Sequence, residues 1–186
     1  VRVRRAFAHV IDRNVIFNTV NYGYGATITG PINPKLTKWF VDDLKTYPID
    51  LKAAEALLDE AGYKRGADGI RFKLNLDYVP STEAYPRGAD YIRQALAKVG
   101  VDVTVRTQDF ATYTKRIYTD RDFDFAYEGM SNLFDPTVGV QRLYWSKNFK
   151  KGVPFSNGAA YSNPKVDALL EAAAIEIDPD KRVAQW

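Results

Sequence analysis

Hydrophobic positions recur first at helical spacing. Val3, Ala6, Phe7 and Val10 share one face, and Asp12 is placed to cap a second run through Val15, Ile16 and Val20. Three glycines and two prolines then break the pattern over "NYGYGATITGPINP", Asn21 to Pro34, predicting a long irregular loop that carries Tyr22 and Tyr24. Asp50 opens a further helix with Leu51, Ala54, Leu58 and Ala61 on one side and Gly62 at its end.

From Ile70 the period changes to two. Ile70, Phe72, Leu74, Leu76 and Tyr78 alternate with Arg71, Lys73, Asn75 and Asp77, which predicts a strand with one wetter face. Ala89, Ile92, Leu96 and Val99 make a helix that Gly100 ends, and Val101, Val103 and Val105 make a second strand. A helix through Tyr113 and Ile117 leads to a third strand, in which Phe123, Phe125 and Tyr127 share a face. Strand, helix, strand, helix, strand is the order of an α/β domain. Asn163 and Pro164 start a helix expected to bury Val166, Leu169, Leu170 and Ala173, and Asp178 and Pro179 start another of about two turns. Both ends break off within helical pattern, so the chain reads as a piece of a longer protein.

Composition narrows the chemistry. The 186 residues are 46% hydrophobic and 26% charged, enough for a proper core. The 26 basic and 23 acidic residues are interspersed, and the cluster Arg2, Arg4 and Arg5 reads as a solvated helix face, so no nucleic-acid partner is expected. With no cysteine, disulfides and thiolate chemistry are excluded. No apolar run reaches the roughly 20 residues of a membrane span, and a signal peptide is not present in this stretch.

The single histidine, His9, has no nucleophile or second metal ligand beside it, and no dinucleotide, phosphate, zinc or calcium motif occurs. Neither cofactor nor metal is expected. Asp120, Asp122, Asp124 and Glu128 read as solvated charges. What remains is "YEGMSNLFDPTVG", Tyr127 to Gly139, where a strand gives way to polar residues and an Asp-Pro step. Ligands in open α/β sheets bind beyond the carboxyl ends of strands, so this stretch is either a binding mouth or a plain turn.

Five stretches carry a resemblance. "VRRAFAHVIDRNVIFNTVNYGYG", "DLKAAEALLDEAGY", the strands and helix from Ile70 to Val105, "FDFAYEGMSNLFDP" and "YSNPKVDALLEAA" come in the order and spacing of one family. The chain resembles the solute-binding proteins of peptide and nickel ABC importers (family 5, including dipeptide- and oligopeptide-binding proteins). The resemblance implies a periplasmic binding protein-like lobe (type II, cluster C), α/β with a mixed sheet flanked by helices. Residues 1–186 would form the C-terminal lobe of a two-lobed, non-catalytic protein, exported to the periplasm. Such a protein encloses a peptide or peptide-like solute between its lobes and delivers it to an inner-membrane permease.

The resemblance also implies a site. Gly129, Met130, Ser131, Asn132, Leu133 and Asp135 are expected on the lobe's inner face, on the same surface as the Tyr22 to Gly30 loop. Tyr22, Tyr24, Tyr127 and Trp145 are candidate aromatic walls. In peptide-binding members an aspartate three residues before the acidic-Pro step pairs with the peptide's ammonium; here that position is Asn132, an amide that accepts a hydrogen bond but does not neutralise the charge. The family's tryptophan, three residues earlier, is replaced by Gly129. The alternatives are a hydrolase using Glu128 and Asp135, and a sensor or binding module for an opine, sugar or metal complex.

Overall fold

A computed structural model describes residues 1–131 and 133–186. The chain divides into two compact units: Val1–Thr27, Lys45–Tyr113 and Phe123–Glu128 form one, and Ile28–Leu44, Thr114–Asp122 and Gly129–Trp186 the other.

The first unit opens with α1 (Arg2–Val10), whose buried Ala6 and Val10 continue the face read from the sequence. Asp12 caps α2 (Arg13–Val15) by accepting the Asn14 N–H at 2.8 Å, and the chain runs on as a π-helical turn, Ile16–Val20. Asp50 caps α3 (Leu51–Glu60), its carboxylate 2.9 Å from the Ala53 nitrogen, and α1 packs against α3. His9 belongs to this packing: its Nδ1 donates to the Pro48 carbonyl at 2.6 Å.

The sheet follows. Central β1 (Phe72–Tyr78) precedes α4 (Ala84–Ala97), β2 (Val101–Arg106), α5 (Phe110–Thr114) and β3 (Phe125–Tyr127), and the strand order is β2-β1-β3. Phe72 pairs with Val101 and Asp77 with Arg106 on one side; Leu76 pairs with Phe125 and Tyr78 with Tyr127 on the other. A mixed sheet is expected from the resemblance, and both described pairings are parallel, because each connection is a helical crossover that brings the chain back to begin the next strand at the same end of the sheet.

The core joins Leu76 and Tyr78 of β1, Val101 and Val103 of β2, and Ala89, Ile92, Ala95 and Leu96 of α4 to Leu58 of α3. Burying Ile92 and Leu96 contributes about 1.5–3 kcal/mol each. Gly100 has φ +81°, and a Cβ there would lie 2.7 Å from the Gly69 carbonyl oxygen, so the turn into β2 requires glycine. The wetter face predicted for β1 does not reach its carboxyl end: Asp77 is fully buried, since parallel strands are covered on both faces.

The second unit contains a π-helical turn, Lys115–Asp120, which buries Ile117 and Tyr118 and ends at left-handed Arg121. It continues with α6 (Gln141–Tyr144), a 3-10 turn (Ser146–Asn148), α7 (Pro164–Ile175) and α8 (Pro179–Gln185). Asn163 and Asp178 cap the last two helices as their sequence predicts. Leu170 and Ala173 of α7 are buried, whereas Leu169, expected on the same face, is 47% exposed: the apolar stripe of α7 is narrower than its sequence suggests. Asn157 is buried and fully used, donating to the Trp145 and Tyr161 carbonyls and accepting the Tyr161 N–H.

Candidate functional site

In the first unit, the carboxyl edge of the sheet gathers polar groups. Asp77, next to last in β1, and Arg106, last in β2, are in register, and the guanidinium meets the buried carboxylate at 2.6 Å. Gln108 Nε2 donates to Asp77 Oδ1 at 2.9 Å. Just past β3, Glu128 Oε2 accepts from the hydroxyl of Tyr113, a fully buried residue, at 2.6 Å. Tyr127, at the end of β3, is half-buried, and burial pushes its hydroxyl pKa up.

Helix α4 packs directly onto that edge. A Cβ at Gly88 would lie 2.5 Å from the Tyr127 ring, and the Tyr85 and Tyr127 rings meet edge to face at 5.4 Å. Tyr22 and Tyr24 stand at 67% and 83% exposure. The Arg87 guanidinium lies 5.4 Å from the centre of the Tyr22 ring.

In the second unit, residues 133–138 form a closed turn. The Val138 N–H donates to the Asp135 carbonyl, and Leu133 N–H returns to Val138. Pro136 is fully buried, while Leu133 and Phe134 are 53% and 90% exposed. Gly129 and Ser131 are exposed, and the Met130 sulfur lies 3.7 Å from an Arg142 nitrogen. Asn132, the position assigned to the ligand's amine, lies outside the described residues. Asp135 is occupied by Arg182, 2.7 Å away through each of two nitrogens, and by the Thr137 N–H. Partial burial opposes its ionisation, but Arg182 and Thr137 outweigh that and hold the carboxyl below its usual range. Trp145 donates its indole N–H to Glu171 at 2.8 Å.

The sequence did not single out Asp77, Arg106, Gln108, Tyr113 or Arg87. The usable signal was positional: Asp77 and Arg106 lie at the carboxyl ends of their strands, where open α/β sheets bind ligands. Among the described residues, no group of three His, Cys, Asp or Glu could hold a metal, and no helix is long and apolar enough to cross a membrane.

Parallel strands joined by helical crossovers, with polar groups at the carboxyl edge, make an α/β fold. The match to Bacterial extracellular solute-binding proteins, family 5 Middle, runs over residues 1–152, and the chain belongs to that family, one of solute binding rather than catalysis. It is 33% identical to Protein XP55 of Streptomyces lividans, over 99% of this chain and 34% of that protein. It is also 33% identical to the dipeptide-binding protein of Escherichia coli (strain K12), over 98% of this chain and 33% of the relative. Among solved structures, the ABC transporter-associated periplasmic binding protein DppA from Helicobacter pylori, in complex with peptide STSA, is similar at TM-score 0.82 and 26% identity. That similarity covers 99% of this chain and 34% of the other. The chain thus spans about a third of the length of the curated relatives it matches.

Proposed function

We propose that the chain is the second lobe of a two-lobed solute-binding protein, exported to the periplasm, that captures a peptide or peptide-like solute for an inner-membrane ABC permease. The observation that carries this reading is the family match over residues 1–152. The peptide class is supported by the similar dipeptide-binding protein of Escherichia coli and by the similar Helicobacter pylori protein in complex with peptide STSA. Gly129 to Leu133, Tyr22, Tyr24 and Trp145 are the proposed contacts to the solute. Asp135 is given a different part: held by Arg182, it fixes the turn on which Leu133 and Phe134 are exposed.

A thermal-shift screen of the intact protein with short peptides tests the reading. A bound solute at 100 times its Kd adds about 2.7 kcal/mol of stability and is recovered unchanged. Stabilisation by no peptide overturns the ligand class, and release of a hydrolysed product overturns the non-catalytic role.

A further inference from the structure

Phe134 is the most exposed aromatic ring among the described residues, and its neighbours Leu133 and Val138 are each about half exposed. Phe149, the other exposed ring of the second unit, is covered by a cation: the Arg121 guanidinium lies 4.1 Å from its centre. Phe134 has no ring or cation partner among the described residues. Single exposed apolar residues are ordinary on a protein surface, but a cluster of them on one short turn marks a contact.

The turn that carries Phe134 is rigid and has used its polar groups internally. Arg182 holds the Asp135 carboxylate through two nitrogens, the Thr137 N–H bonds the same carboxylate, and the Thr137 hydroxyl accepts from Arg182 at 2.8 Å. The backbone closes likewise: the Val138 N–H donates to the Asp135 carbonyl, the Leu133 N–H to the Val138 carbonyl, and the Pro136 carbonyl accepts from Val140 and Gln141. What remains at the tip is apolar surface. A peptide-like solute must satisfy an amide at every residue and finds no free donor or acceptor there, whereas an apolar recess on another part of the protein meets such a tip without loss. A ring held on a fixed turn also loses little freedom on contact.

We infer that Phe134 is a latch: when the solute is enclosed, its ring seats in an apolar recess of the first lobe, in the part of the intact protein outside residues 1–186. The inference rests on the two-lobe reading above and adds to it a contact between lobes in which the solute takes no part. The chain covers 34% and 33% of two relatives, so most of such a protein lies outside it and is available to supply the recess.

The test is calorimetry and stopped-flow binding on the intact protein with triglycine, trialanine and trilysine. Phe134→Ala is expected to weaken every peptide that binds by the same factor, about ten- to hundredfold, through faster dissociation with association unchanged. Phe134→Leu, still apolar, keeps part of the affinity, and Phe149→Ala leaves it unchanged. The melting temperature of Phe134→Ala without solute stays at the wild-type value. A loss that varies with the peptide's side chains assigns Phe134 to the solute and overturns the inference, as does an unchanged affinity or a solute-free protein that melts as much earlier as the bound one. Phe134→Trp gives a second readout: acrylamide quenching of the added fluorescence, taken as the difference from wild type, falls when peptide binds, and quenching that does not change overturns the inference.

If no peptide binds, the peptide reading fails, and the same quenching is measured with octopine, maltose and the nickel–histidine complex. Shielding by whichever of these stabilises the protein upholds the latch. Stabilisation without shielding overturns it, and stabilisation by none overturns it together with the solute-binding reading.

Discussion

Arg182 grips Asp135 with two guanidinium nitrogens, each 2.7 Å from a different carboxylate oxygen. The same side chain donates to the Ala173 carbonyl and the Thr137 hydroxyl, each at 2.8 Å, and lies 5.3 Å from the centre of the Trp39 ring. One residue of α8 thus binds the end of α7 to the Asp-Pro turn. Asp135→Asn is expected to destabilise the intact protein by about 1–2 kcal/mol, a charged hydrogen-bond loss reduced for partial exposure. Arg182→Gln costs more, because the Ala173 carbonyl also loses its donor. A double-mutant cycle measured by urea unfolding checks this: additive losses would show that the pair is not coupled.

Acid sensitivity follows from three depressed carboxyls in this unit. Asp135 has been described; Asp167 is lowered by the Ser146 N–H and hydroxyl, and Glu171 by Lys147 and the Trp145 indole. A folded-state pKa below the unfolded value means the unfolded chain binds more protons, so stability rises with pH. The contribution is complete above the unfolded values of about 4 and is lost as pH falls through the lower folded values. Unfolding free energy measured from pH 6 down to pH 3 should therefore fall, and fall less in Asp135→Asn. Identical slopes in the two proteins would remove Asp135 from this account.

Gly88→Ala tests the packing of α4 on the sheet. The added methyl meets the Tyr127 ring at 2.5 Å, so the ring or the helix must shift, at about 1–3 kcal/mol for overpacking. Tyr127→Ala in the same background makes room and should recover part of that loss relative to Tyr127→Ala alone. A free energy of unfolding unchanged by Gly88→Ala would show that α4 moves aside without cost.

What the sequence made legible was mostly local. The caps at Asp12, Asp50, Asn163 and Asp178 act on nitrogens two or three residues away, so spacing alone revealed them. The helices other than α6 and the three strands followed from periodicity and cap residues, although β3 is shorter than its apolar run because only Phe125–Tyr127 pairs with β1. The site was harder to read, because its partners are distant in the chain. Asp135 looked like a ligand group because Arg182 stands 47 residues away, and Arg87 drew no notice because Tyr22 lies on a loop far from it in sequence. Burial of Asp77 depends on β1 and β2 pairing, which no single strand's alternation encodes.

Asn132 offers a gain-of-affinity test. An amide at the position that the resemblance assigns to the ligand's ammonium accepts a hydrogen bond without neutralising charge. Asn132→Asp in the intact protein should strengthen binding of a peptide with a free amine about ten- to hundredfold, and should leave its N-acetyl form unimproved. Equal or weaker calorimetric binding across a panel of free-amine peptides would remove Asn132 from the amine position.

The most direct test of the two-lobe account compares one identified ligand against residues 1–186 and against the intact protein by titration calorimetry. Small-ligand sites bury roughly 70–90% of the ligand, so a solute enclosed by two lobes loses about half its contacts when one is absent. An intact protein binding at about 1 μM, near −8 kcal/mol, then predicts millimolar or weaker affinity for residues 1–186, provided circular dichroism shows them folded. Comparable affinities for the two would contradict the account and place the whole site within these 186 residues.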